Sequence, residues 1–252
     1  MLEVKNLTVR YGSITIVNGA SFAVKPGDWL MVVGPNGAGK STIVNAVAQA
    51  IPYEGAVLFE GKDVRKMKPV ERAKKIGVLA QSHFVGYSFT VGEIVRLGRY
   101  AYAPGVFSRG SAGDEARVAD ALEKTGMTPL VNQSVLTLSG GELQRAFLAQ
   151  LFAQNPSLLM LDEPSNHLDL VYQKQVFGLI RDWIRDTGRA VLSVVHDLSL
   201  ARAYGTSAIL LDRGKIVSFG ATKEVLTREN LRNVYSMDVY GWMQTMLAQW
   251  QE

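Results

Sequence analysis

Lys40 and Ser41 close the run Gly34-Pro35-Asn36-Gly37-Ala38-Gly39-Lys40-Ser41-Thr42, which fits the phosphate-loop pattern G-x-x-x-x-G-K-[ST]. Glycines at 34, 37 and 39 let successive backbone N–H groups turn inward with no Cβ in the way, and a helix starting at the end of the loop adds its own orphan donors. A loop running from Gly34 through Asn36, Gly37, Ala38 and Gly39 to Thr42 therefore suits a polyphosphate such as that of ATP. Lys40 is placed to reach the β- and γ-phosphates as a point charge, and the Ser41 hydroxyl to ligate Mg²⁺. A glycine-rich turn that binds nothing is the bland alternative. Against it stands the context: Trp29-Leu30-Met31-Val32-Val33 reads as a buried strand, and Ser41 to Gln49 as a helix.

Two carboxylates complete that chemistry. The apolar run Ser157-Leu158-Leu159-Met160-Leu161 ends in Asp162-Glu163-Pro164, so that Asp162 can hold Mg²⁺ directly or through water while Glu163 stands where an attacking water belongs. A second buried strand, Ala190 to Val195, delivers His196 to its C-terminal end, where open α/β sheets collect their ligands, as a γ-phosphate contact. Gln81 follows the strand Ile76 to Ala80 in the same way and could bring its amide oxygen to Mg²⁺ or to the water. Leu138-Ser139-Gly140-Gly141-Glu142 is a piece that a generic phosphate-loop ATPase does not need. Its capping-box spacing reads simply as a helix start for Gly141 to Gln154. Two glycines in a first turn cost helix stability, however, and leave N–H groups open to an anion, which makes Ser139, Gly140 and Gly141 a second phosphate site.

The elements that must position these residues are strands and helices in alternation after a β-rich start, the pattern of an α/β phosphate-loop fold. Leu2 to Arg10, Ile14 to Val24 and Gly55 to Glu60 read as strands, the second closed by the turn Lys25-Pro26-Gly27-Asp28. From about Ser82 to Gln133 the pattern turns helical, with capping-box spacing at Thr90 to Glu93, a periodic stretch from Asp114 to Thr125, and a Gly-, Pro- and aromatic-rich loop between Tyr100 and Gly113. At 252 residues the chain has the size of one large domain with an inserted helical part. A net charge of +4 without like-charge blocks gives no indication of nucleic-acid binding, and zero cysteines exclude disulfides and thiolate metal sites. The absence of a long apolar run and of a signal-peptide pattern predicts a chain that neither spans a membrane nor is exported.

Taken in order along nearly the whole chain, these motifs resemble the nucleotide-binding subunits of ATP-binding-cassette (ABC) transporters. That resemblance implies a single nucleotide-binding domain over 1–252: a phosphate-loop core, an N-terminal antiparallel β subdomain, and an α-helical subdomain inserted at approximately 82–155. It also implies that Tyr11 stacks on adenine, that Gln81 is the glutamine loop, and that Leu138 to Glu142 is the family signature, with glutamate where many members carry glutamine. Asp162 and Glu163 become the metal-holding aspartate and catalytic glutamate, Ser165-Asn166-His167-Leu168-Asp169 the D-loop that adds Asp169 to the nucleotide site, and His196 the switch histidine. In such a family two copies pack head to tail, so that Ser139, Gly140 and Gly141 of one close on the γ-phosphate held by Lys40 of the other. The helical insert would dock a transmembrane permease at the cytoplasmic face of the membrane, with His83, Phe84, Tyr87 and Phe89 as candidate contacts and a substrate-binding protein engaged indirectly. Val95 to Tyr100, Pro104, Leu226 to Leu231 and Val234-Tyr235 are further similar to the ATPases of bacterial iron-siderophore, haem and cobalamin importers. The sequence leaves open another ABC importer, an exporter, or a soluble cassette acting on nucleic acid or ribosomes. The intact Glu163 speaks against a regulator without turnover. The aromatic tail from Tyr240 to Trp250 could be a helix packed on its own domain or a contact with a second subunit.

Overall fold

Alternating apolar and polar residues build the first sheet. In this computed structural model, which describes residues 1–80, 86–103, 111–166, 168–185 and 187–250, β1 (Leu2–Tyr11) pairs antiparallel with β2 (Ile14–Val24), with Leu2 opposite Val24. On its other side β1 pairs with β4 (Glu54–Phe59), and β5 (Lys62–Asp63) closes the sheet in the order β2-β1-β4-β5. Between β2 and β4 the chain makes β3 (Trp29–Val33), a strand buried on both faces, and α1 (Lys40–Val47). Strands buried throughout belong in the middle of a parallel sheet with both faces covered, and β3 sits there.

That second sheet has six strands in the order β10-β9-β3-β8-β7-β6. Its members are β6 (Ile76–Leu79), β7 (Leu158–Asp162), β8 (Ala190–Val194), β9 (Ser207–Asp212) and β10 (Lys215–Ala221) together with β3. All pairings are parallel except that of the edge strand β10 with β9. Along β3 the two faces separate cleanly. Leu30 and Val32 join Ile43 of α1 and the first sheet in one core, while Trp29, Met31 and Val33 face a helical layer in the other. The fold class read from the sequence is the one found.

The helical layer comprises α2 (Pro69–Lys75), α3 (Val91–Leu97), α4 (Ala112–Lys124), α5 (Gly140–Gln154), α6 (Leu170–Ile184), α7 (Leu198–Tyr204), α8 (Thr222–Val225), α9 (Arg228–Tyr235) and α10 (Val239–Ala248). Capping boxes start three of them, at Thr90 with Glu93, Ser111 with Asp114, and Ser139 with Glu142. The second box explains why α4 begins two residues before the expected Asp114: that aspartate is the third helical residue, and Ser111 is the cap. Arg99 ties α3, α4 and α5 together, its Nε donating to Asp114 Oδ1 at 2.8 Å and its Nη1 to the Ala153 carbonyl at 2.8 Å.

For the chemistry, the decisive feature is register. Met31 pairs with Ser193 and Val32 with Val194, while Asp162 pairs with Val194. The C-terminal ends of β3, β8 and β7 are therefore neighbours, and the segments that follow them, 34–42, 195–197 and 162–163, emerge side by side.

Candidate functional site

The glycine loop is held in a conformation few other residues could adopt. Gly34 has φ +152°, and a Cβ there would fall 2.1 Å from the Leu211 carbonyl oxygen of β9. Gly39, at φ +100°, would set a Cβ 3.0 Å from the Ile16 carbonyl oxygen, whereas Gly37 at φ +77° faces open space. Ala38 is buried behind the loop, where its carbonyl accepts from the Gly214 N–H at 2.9 Å. Tyr235, at the end of α9, reaches the backbone of Gly34, and burial pushes its phenol above the ordinary value.

Lys40 is buried at the first position of α1, with Nζ donating to the Gly34 and Pro35 carbonyls at 2.9 Å each. Burial lowers its pKa, opposed by the charges of Glu163 and Asp162. Next to it Ser41 Oγ donates to Asp162 Oδ1 at 3.0 Å, and burial raises the pKa of that carboxyl against the Ser41 hydrogen bond. A hydroxyl and a carboxylate oxygen this close form a hard, oxygen-only pair that fits Mg²⁺, a cation that takes few protein ligands and completes its shell with water and phosphate. Among the described residues no group of three or more His, Cys, Asp or Glu could cage a metal by itself, so the pair would have to share its cation with a nucleotide.

Glu163 carries the sharpest local feature. It is a non-glycine residue at φ +55°, its N–H donates to the Val194 carbonyl at 3.1 Å, and left-handed backbone at such a residue costs on the order of 1–3 kcal/mol unless its surroundings hold it. Those surroundings are visible. Glu163 Oε1 lies 2.5 Å from His196 Nε2, and Oε2 accepts from Asn166 Nδ2 at 3.0 Å. Asn36, Gly37, Gly39, Lys40, Ser41, Thr42, Glu163, Asn166 and His196 line one groove of about 670 Å³, with Ile16 from β2 as an apolar wall. The arrangement can hold a polyphosphate against backbone N–H groups and Lys40, and present a carboxylate to a water beyond its last phosphate.

Other residues singled out from the sequence lie outside this groove. Tyr11 is exposed at the β1–β2 hairpin opposite Ile14. Ser139, Gly140 and Gly141 start α5, where Glu142 Oε2 accepts from Ser139 N and Oγ at 2.8 Å each. Those bonds hold the Glu142 carboxyl below its usual range. A Cβ on Gly141 would meet the Tyr172 ring at 2.7 Å. Asp169 caps α6, accepting from the Tyr172 N–H at 2.9 Å. Tyr87 and Phe89 are exposed, with their rings 6.2 Å apart edge to face. Gln81, His83, Phe84, Pro104 and His167 lie outside the described residues. Missing from the sequence reading as individual contributors were Asn166 and Ile16, and also Gln144, whose Nε2 donates to the Pro164 carbonyl at 3.0 Å and ties α5 to the residue after Glu163. Only the proximity of Asn166 to the Glu163 motif could have signalled any of these.

Three comparisons bear on this geometry. The sequence profile of the family described as ABC transporter matches residues 17–166. The ferric enterobactin transport ATP-binding protein FepC of Escherichia coli is 37% identical over 237 residues, 94% of this chain and 87% of the relative. The hemin import ATP-binding protein HmuV of Pseudomonas aeruginosa is 38% identical over 245 residues, 95% of this chain and 94% of the relative. Among solved structures, an inward-facing metal-chelate type ABC transporter superposes with a TM-score of 0.82 at 27% identity, covering 94% of this chain and 89% of that one.

Proposed function

The chain belongs to the ABC transporter ATP-binding family, and from that premise we propose that it is the ATPase motor of a metal-chelate importer of the iron-siderophore, haem or cobalamin type. The observation that carries the ATPase reading is the convergence of Lys40, Ser41, Asp162, Glu163 and His196 in and around one groove at three adjacent strand ends. The importer reading rests on relatives named for ferric enterobactin and hemin. Cargo remains at that coarse level, because the motor carries cargo information only by ancestry.

In this reading Lys40 leaves the Gly34 and Pro35 carbonyls for the β- and γ-phosphates of ATP, and Tyr11 stacks on adenine. Mg²⁺, when bound, would neutralise developing phosphate charge, with Ser41 and Asp162 as its protein ligands and Gln81 as a third. Glu163 accepts a proton from the attacking water. His196, hydrogen-bonded to that carboxylate, keeps it aimed and meets the γ-phosphate. Ser139, Gly140 and Gly141 of a second copy close over the same phosphate, with Asp169 at the seam between copies. Loss of the γ-phosphate then removes the link between the two copies. Such a cycle does work only when coupled to a permease, so the helical part at approximately 82–155 is assigned the docking role, with Tyr87 and Phe89 on its exposed side. No helix among the described residues is long and apolar enough to cross a membrane. In this reading the motor sits peripherally at the cytoplasmic face, beneath the permease that it drives.

The test is a pull-down of tagged Glu163→Gln protein from detergent-solubilised membranes in Mg-ATP. Recovery of a many-spanning permease supports the importer reading. Recovery of ribosomes or nucleic acid alone would replace it with a soluble cassette while leaving the ATPase chemistry in place.

A further inference from the structure

The last helix exposes apolar surface that the nucleotide chemistry does not use. From Val239 to Trp250 the chain carries no charged residue. Tyr240 and Met243 turn α10 inward onto the helical core, and the Tyr240 hydroxyl donates to the Leu226 carbonyl at 2.8 Å. Beside them Trp242, Met246 and Trp250 follow one another at helical spacing and are 55%, 50% and 85% exposed, with Leu247 at 59%. Together with Met237 and the inward-turned Met243 they line an apolar groove of about 860 Å³ that also takes in the segment from His196 to Ser199. Contiguous apolar surface of this size marks an interaction site.

What covers it can be argued from position, charge and area. His196 lines both this groove and the phosphate groove, so the stripe continues the face on which a second copy would close. A two-fold contact sets each residue of the patch against the same patch, which penalises charge and favours a charge-free strip. Side chains of this size expose on the order of 600 Å² per protomer, and two copies would bury about 1,200 Å², the lower edge of a stable interface. We propose that the face formed by Trp242 and Met246 of α10, with Trp250 just beyond its end, is a second contact between copies of this chain, one that forms without nucleotide and keeps two motors paired while the phosphate-bearing seam is open. The inference rests on the two-copy ATPase reading above. A contact at this edge of size suits the task, since it is large enough to retain a partner and small enough to let the seam open and close.

The experiment uses the full chain without nucleotide, in a sedimentation series over protein concentration. Wild type should dimerise reversibly, and Trp242→Glu or Met246→Glu should weaken that dimer at least tenfold while leaving nucleotide binding by each monomer unchanged. Ser139→Arg, which blocks the nucleotide seam, should leave the nucleotide-free dimer intact. Because the chain has no cysteine, Met246→Cys gives a clean second readout: oxidation should yield a covalent dimer without ATP. A wild type that stays monomeric without nucleotide, or a dimer indifferent to both glutamate substitutions, overturns the inference. So does a stripe whose substitution abolishes binding to anionic lipid vesicles and leaves self-association unchanged. The ATPase reading is judged separately, by whether Glu163→Gln protein that also carries Trp242→Glu dimerises when Mg-ATP is added.

Discussion

Gly34→Ala should cripple nucleotide binding where Gly37→Ala is tolerated, although both glycines lie in the same loop. A methyl at Gly34 would sit 2.1 Å from the Leu211 carbonyl oxygen, and ordinary contact begins near 3.4 Å, so about 1.3 Å must be opened. Leu211 cannot supply it. It belongs to β9, which is paired on one side to β3, with Val33 opposite Leu210, and on the other to β10. The glycine loop must move instead, and a displacement of about 1 Å in a positioning element costs roughly 100-fold in function, or about 2.7 kcal/mol. A methyl at Gly37 meets no atom within 4 Å. Within the protein its cost is the left-handed backbone alone, about 1–2 kcal/mol, and although the methyl borders the phosphate groove it leaves the loop seated against β9. Titration with a fluorescent ATP analogue, alongside thermal melting, separates the two. The reasoning fails if Gly34→Ala binds ATP like wild type, or if the two variants lose affinity equally.

Lys40→Ala removes the buried cation of the cradle and should weaken ATP affinity itself by at least tenfold, as read by the same titration; unchanged affinity would argue against the cradle. In a Trp242→Glu background, which removes the α10 contact, Ser139→Arg should fold and bind ATP as a monomer yet fail to form the nucleotide-bound dimer on size-exclusion chromatography, and dimerisation equal to that of Trp242→Glu alone would contradict the shared-site account. Asp114 provides a pH test of the fold: hydrogen bonds from Ser111 and the ion pair with Arg99 hold its carboxyl down at about 2, against 3.8 ordinarily. Its contribution is therefore fully present above pH 3.8 and lost as the pH falls towards 2. In acid melting, Asp114→Asn should flatten the stability curve over that interval, and an unchanged slope would refute the assignment.

The parts of the site written in consecutive residues were legible. The glycine loop, Asp162-Glu163 and the caps at Thr90 and Ser139 each announce themselves through local geometry, and the buried strands β3, β7 and β8 through unbroken apolar runs. What escaped the sequence was held by contacts between distant segments. Nothing near Gly34 tells that Leu211 stands behind it, nothing near Gly141 that Tyr172 leaves no room for a side chain, and nothing near Gln144 that it reaches Pro164. Helices such as α6 and α7 escaped as well, although Asp169 and Asp197 cap them, because a lone aspartate marks turns and helix starts alike.

Phosphate release in a single turnover, wild type against Glu163→Gln, bears most directly on the claim that this groove is an ATP-hydrolysing centre with Glu163 as its base. The substitution keeps an oxygen and an amide where the carboxylate meets His196 and Asn166, and removes only the proton acceptor. The account predicts a loss of about 10²–10⁴-fold in the chemical step with ATP still bound. Release at the wild-type rate would contradict it.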